Sequence, residues 1–147
     1  MEGSIICGVD GSSESRAALR VGARLSGQLE LHLVVAHVWQ TSVFPPAYGT
    51  TIAVVEPAMQ ADLRAAEVLV ERLADEEGLT DADCRVMHGL PAERLADLAD
   101  EEGAAFIVVG SRGRGAFKAA ILGSVSRDLI GVARCPVLVV PPGAAAG

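Results

Sequence analysis

The sequence predicts an α/β domain: a single-domain, open, doubly wound, five-stranded parallel sheet with helices on both faces. Three observations carry this. Five short apolar, β-rich runs alternate with longer segments of helical period, the pattern of strand–helix–strand units. The strands are near-continuously apolar, which marks strands covered on both faces. The chain has 147 residues, half of them apolar and only 3% aromatic. That is enough for one core and leaves no room for a second enzyme domain.

The first strand, residues 4–9, stops at Asp10-Gly11-Ser12-Ser13, whose small polar residues suit both a turn and a helix N-cap. From Glu14 the apolar positions Ala18, Val21, Gly22 and Leu25 recur at helical spacing, and Gly27 is the expected stop. Residues 29–38 form the second strand. Residues 39–56 read as a long connection holding Trp39, Phe44 and Tyr48, three of the five aromatics; loops of that length usually carry function. Pro57 is expected to open a long helix with the stripe Met59, Leu63, Ala66, Val70 and Leu73, ending at Gly78. A third strand covers residues 84–88, and Pro91 opens the next helix, which stops at Gly103. The fourth strand, residues 105–109, runs into a glycine- and arginine-rich stretch. Helical period resumes with Ile121, Val125 and Leu129, and Pro136-Val-Leu-Val-Val140 is the fifth strand. One domain is expected over residues 1–142, followed by a disordered Pro/Gly/Ala tail over 143–147. No repeat, low-complexity block or linker interrupts it.

Charge and composition exclude several classes. Twelve basic against nineteen acidic side chains give a net charge of −7, the wrong sign for a cleft that tracks a nucleic-acid backbone. The longest charge-free stretch, residues 31–55, is broken by His32, His37, Gln40 and Pro45-Pro46, so no membrane span is expected. The first residues lack a cationic leader, which points to the cytoplasm. Cys7, Cys84 and Cys135 are odd in number and far apart, and read as reduced core residues. His32 and His37 fall on opposite faces of a strand and cannot share a metal; no metal site is expected. No Gly-x-Ser-x-Gly elbow accompanies Ser111, Ser124 or Ser126, which argues against serine hydrolysis. The acidic runs 75–77 and 100–102 read as solvated surface.

The informative stretch is Gly110-Ser-Arg-Gly113-Arg-Gly-Ala-Phe-Lys-Ala-Ala-Ile-Leu-Gly123-Ser124. It follows a strand, leads into a helix, and carries Arg112, Arg114 and Lys118 without a carboxylate in an otherwise acidic chain. Glycines admit an anion to main-chain N–H groups, and a helix start favours negative charge. The plainer alternative, a simple turn with a solvated basic face, stays open on composition alone. Position favours the cradle, because ligands of open parallel sheets bind beyond the carboxyl ends of strands, where Asp10 and Gly110 both sit. Asp10 has its own plain reading as a helix cap. Neither the Walker pattern nor the dinucleotide Gly-x-Gly-x-x-Gly fits.

The order Gly110, two residues, Gly113, nine residues, Gly123-Ser124 resembles the nucleotide motif of the ATP-binding subgroup of the universal stress protein family. Val9-Asp10-Gly11-Ser12, His37-Val38 and the Cys135-Pro136 ending support the resemblance, which covers residues 4–141. It implies a Rossmann-like, adenine nucleotide alpha hydrolase-like fold. It also implies that Gly8, Val9 and Asp10 lie beside the nucleoside and that Val38 touches adenine. Val109 and Gly110 would pass under the ribose and first phosphates. Arg112 and Gly113, with Gly123, Ser124, Val125 and Ser126, would hold the phosphate chain. Further implications are ATP with Mg²⁺ carried mainly by the phosphates, a homodimer through the strand Pro136 to Val140, an unidentified protein partner, and a stress-linked role exerted by binding. A slow ATPase or phosphotransferase, a cyclic-nucleotide binder, and an interaction domain with an empty loop remain alternatives. No catalytic residue is expected, since residues 110–126 contain no Asp, Glu, Gln or His to orient water.

Overall fold

The computed structural model describes residues 3–40, 52–113 and 122–144. Nine elements follow in order: β1 (Ser4–Gly8), α1 (Ser13–Leu29), β2 (His32–Trp39), α2 (Ile52–Glu76), β3 (Asp83–His88), α3 (Pro91–Glu101), β4 (Ala104–Gly110), α4 (Ser124–Val132) and β5 (Val137–Val140). All four strand pairings are parallel and the order is β3-β2-β1-β4-β5. The chain winds outward from β1 to β3, returns to β4 beside β1, and ends at β5. The winding direction therefore reverses between β1 and β4, where an open sheet parts its loops and leaves a crevice.

The apolar strands explain the layering. Successive side chains of a strand point to opposite faces. Ile5, Cys7 and Val9 join Ala18 and Leu19 of α1 and Val70 and Leu73 of α2 in one core layer. Ile6 joins Ala92, Leu95 and Leu98 of α3 and Leu129 of α4 in the other. Burying each such branched side chain contributes about 1.5–3 kcal/mol, so β1, buried along its whole length, must lie at the centre.

Three expected boundaries move. Gly27 does not stop α1; the helix runs on to Leu29 and turns at Glu30, which adopts a left-handed φ of 54°. Ser26 makes this possible. Its carbonyl accepts from the N–H groups of Glu30 and Leu31, and its hydroxyl donates to the Leu31 carbonyl at 2.7 Å. These bonds offset the cost of a side chain in that conformation. Strand β2 accordingly begins at His32 and takes in Trp39. Pro57 does not open α2 but lies inside it, because the helix starts at Ile52. At this sixth position of the helix a proline forfeits the main-chain bond that its N–H would otherwise donate one turn back. At the carboxyl end, the Ala144 N–H donates to the Pro141 carbonyl at 3.2 Å; residues 145–147 lie outside the described part, as do Phe44, Tyr48, Arg114, Lys118 and Ile121.

Candidate nucleotide-binding site

The carboxyl end of β1 is tied to β2 by two contacts. The Val9 N–H donates to the Ala36 carbonyl at 2.9 Å, and the His37 ring meets the Val9 carbonyl through Nδ1 at 2.7 Å. A carbonyl only accepts, so the ring must carry its proton on Nδ1. The main chain then turns through Gly11, at φ 84°. Asp10 Oδ1 accepts the Ser12 N–H at 2.9 Å, Ser12 Oγ accepts the Ser15 N–H at 3.1 Å, and the Asp10 N–H donates to Ser15 Oγ at 3.2 Å. Asp10 thus helps to build the start of α1, as its capping chemistry suggests, and it also lines the crevice.

The loop after β4 is held by its own glycines. A Cβ on Gly110 would lie 2.8–2.9 Å from Glu14 main-chain and side-chain atoms, so Gly110 lets the strand end press against α1. A Cβ on Gly113 would overlap Asp10 Oδ2, and one on Gly123 would lie 3.2 Å from Arg112 Cα and 3.4 Å from the Gly113 nitrogen. The Ser111 N–H donates to the Val140 carbonyl at 2.8 Å, and the Ser111 carbonyl accepts the Gly123 N–H at 2.6 Å. Buried Ser126 holds the same junction. Its Oγ lies 3.0 Å from the Ser111 carbonyl and 3.1 Å from that of Gly123. Arg112 reaches Glu14 of α1 at 4.0 Å.

These ends enclose a cavity of about 790 Å³ over the switch point, within the range of small-molecule sites. Ten of the expected residues line it: Gly8, Val9, Asp10, Val38, Val109, Gly110, Arg112, Gly113, Ser124 and Val125. Gly123 and Ser126 do not. They sit behind the lining, where they join α4 to the loop. The start of α4 faces the cavity with Ser124 and Val125, and no side chain among the described residues caps it. The N–H groups of Ser124, Val125 and Ser126 have no acceptor within the helix, as for the first turn of any helix.

Sequence reasoning missed the opposite wall. Leu90, Pro91, Ala92, Glu93 and Leu95 at the start of α3 line the cavity, as do Arg127 and Asp128 of α4. The rule that ligands lie beyond strand ends applies to β3 as well, and Pro91 directly after it was the available signal. Residues 110–126 offer no carboxylate, but Glu93 and Asp128, outside that stretch, line the cavity together with Asp10. Trp39 packs against His88 with ring centroids 4.4 Å apart, and is not part of the lining. Among the described residues no cluster of three or more His, Cys, Asp or Glu could hold a metal ion. Nor is any described helix long and apolar enough to cross a membrane.

An open, doubly wound α/β domain with a glycine-lined crevice at its switch point defines the class. Comparison with known proteins defines the family. The Universal stress protein family matches residues 1–141, so the chain belongs to that family. Universal stress protein YxiE of Bacillus subtilis (strain 168) is 32% identical over 149 residues, covering 95% of this chain and 99% of that protein. The chain spans about half the length of several mycobacterial relatives it matches, 47% in one case and 44% in another. Among solved structures, the universal stress protein UspA from Lactobacillus plantarum superposes with a TM-score of 0.78 at 20% identity, over 95% of this chain and 97% of that one. A universal stress protein solved in complex with cAMP superposes with a TM-score of 0.66 at 25% identity, over the same shares.

Proposed function

We propose that this chain is an ATP-binding module that holds the nucleotide across the β1/β4 crevice and acts through its bound state on a protein partner in a stress response. The carrying observation is the meeting, in one cavity, of the β1 end, the β4 glycine loop and an α4 start without a side-chain cap. An uncapped helix start offers main-chain N–H groups to phosphate, and Arg112 and Arg127 add positive charge beside it. The Asp10 carboxylate only accepts hydrogen bonds, so it suits the hydroxyl- and amine-bearing nucleoside end rather than the phosphates. Mg²⁺ would arrive on the phosphates. A cyclic nucleotide is the second reading, favoured by the relative solved with cAMP.

Denaturing the purified protein and identifying the released nucleotide by mass spectrometry tests this directly. Calorimetric titrations with ATP, AMP and cAMP then rank the ligands. Absence of released nucleotide together with no heat from all three would overturn the reading.

The module acts by holding rather than consuming ATP. Turnover with Mg²⁺ is expected to fall well below the roughly 1–10³ s⁻¹ of ordinary enzymes. Glu93 and Asp128 are the carboxylates that could orient water if hydrolysis occurs. Steady-state phosphate release near one per second, lost in Glu93→Gln or Asp128→Asn, would favour the ATPase alternative. We further propose a cytoplasmic homodimer through β5. This strand is one edge of the sheet and exposes Leu138, and such an edge invites pairing. Light scattering that gives a monomer mass at micromolar concentration, with and without ATP, would contradict it.

A further inference from the structure

We infer that Gly113 is a positioning residue for Asp10: it is glycine so that the Asp10 carboxylate can lie against the β4 loop, which couples the loop meant for phosphate to the carboxylate at the nucleoside end. This rests on the nucleotide reading but can be tested without a ligand.

The backbone does not demand glycine here, because Gly113 is not among the residues with positive φ. The neighbouring space does. Its missing Cβ would fall on Asp10 Oδ2, far inside van der Waals contact, and 3.5 Å from the carboxyl carbon. Among the described residues no other atom lies within 4 Å of that point, apart from those of adjoining residues, so the conflict is with Asp10 alone. The carboxylate cannot swing away without cost, since Oδ1 holds the Ser12 N–H at 2.9 Å in the turn before α1. An alanine at 113 would therefore rotate the carboxylate out of place in the cavity or break that turn bond. The usual reason for a glycine in a phosphate loop is close approach of the ligand to the main chain. That reason makes a different prediction, because it does not involve residue 10.

The experiment is a double-mutant cycle over Asp10 and Gly113, read by thermal unfolding without ligand and by calorimetric titration with ATP. Asp10→Ala empties the space that a Cβ on Gly113 would enter; Asp10→Asn keeps the side chain's size and removes its charge. Without ligand, Gly113→Ala should lower the unfolding midpoint in the wild-type and Asp10→Asn backgrounds. In the Asp10→Ala background it should leave the midpoint unchanged or raise it. With ATP, Gly113→Ala alone should weaken binding roughly tenfold or more, the scale of one charged hydrogen bond. Added to Asp10→Ala, it should weaken binding no further. Equal losses from Gly113→Ala in the wild-type and Asp10→Ala backgrounds, in either measurement, would overturn the inference and favour direct ligand approach. If the wild-type protein binds no ATP, the nucleotide reading fails, while the midpoints still decide the Gly113–Asp10 coupling.

Discussion

Helices α1 and α4 both begin at the crevice, one after β1 and the other after the β4 loop, yet their starts are built in opposite ways. The start of α1 is satisfied from within. Ser12 caps it, Asp10 closes the turn before it, and Glu14 places a carboxylate in its first turn. The start of α4 has Gly123 at its N-cap, no acidic residue in its first turn, and its buried serine, Ser126, turned back onto the Ser111 and Gly123 carbonyls. A helix that supplies its own anion has little left for a ligand, whereas one that supplies none keeps its positive end for phosphate. The cavity thus has the Asp10 carboxylate on the α1 side and, on the α4 side, the uncapped helix start, with Arg127 and Asp128 one turn further along. The difference between the two helix starts suits a nucleoside phosphate lying between them.

The contrast can be broken most severely at Gly123. Gly123→Val sets a branched side chain against Arg112 Cα and the Gly113 nitrogen. It should cost about 1–3 kcal/mol of stability as well as ATP affinity. This is a failure of loop packing, visible in the unfolding midpoint without ligand. Gly27→Ala, at a helix position with nothing within 4 Å, should instead stabilise by about 0.5–1 kcal/mol in the same assay.

Making α4 resemble α1 comes next. Ser124→Glu adds an acid to the first turn of α4, which should stabilise the helix by about 0.3–1 kcal/mol. In calorimetry the same variant should bind ATP roughly tenfold more weakly, because its own carboxylate competes for the N–H groups. Unchanged affinity would place the phosphates elsewhere. Ser12→Ala tests the other side: it should cost about 1 kcal/mol in denaturant unfolding and leave ATP affinity alone, since the cap serves α1 rather than the ligand.

The smallest effect at neutral pH concerns the core beneath α1. Cys7 is fully buried, with Gly22 of α1 packed over it, and burial pushes its thiol from 9.0 up to about 12. Burial favours the protonated form, so this stabilisation is complete below pH 9 and is lost as pH rises toward 12. Unfolding midpoints should fall across that window, and less steeply in Cys7→Ala. In the folded protein Cys7 should resist alkylation at about pH 8.

Much of the fold was legible because its signals are local. The apolar run from Ile5 to Val9 announced a strand covered on both faces, and Pro91 and Gly103 bracketed α3 closely. Boundaries failed where a side chain overrode a residue's usual meaning, as Ser26 did in holding Glu30 left-handed beyond Gly27. The spacing of Gly110, Gly113, Gly123 and Ser124 pointed to the loop that borders the cavity. It did not tell which of them line the cavity, because Ser126 and Gly123 are turned inward by the phase at which α4 meets the loop.

By itself the sequence determined five strands, their burial on both faces, one domain's worth of core and a glycine loop at a strand end. Periodicity and composition act over a few residues, and so can be read along the chain. The tertiary structure alone decided why those glycines are glycines. Gly110 meets Glu14, Gly113 meets Asp10, and both partners lie near the other end of the chain. It alone brought the start of α3, with Glu93, to the same cavity. Contacts between distant segments follow from how helices cross a twisted sheet, and that geometry is set by the packing of the whole core rather than by any local stretch.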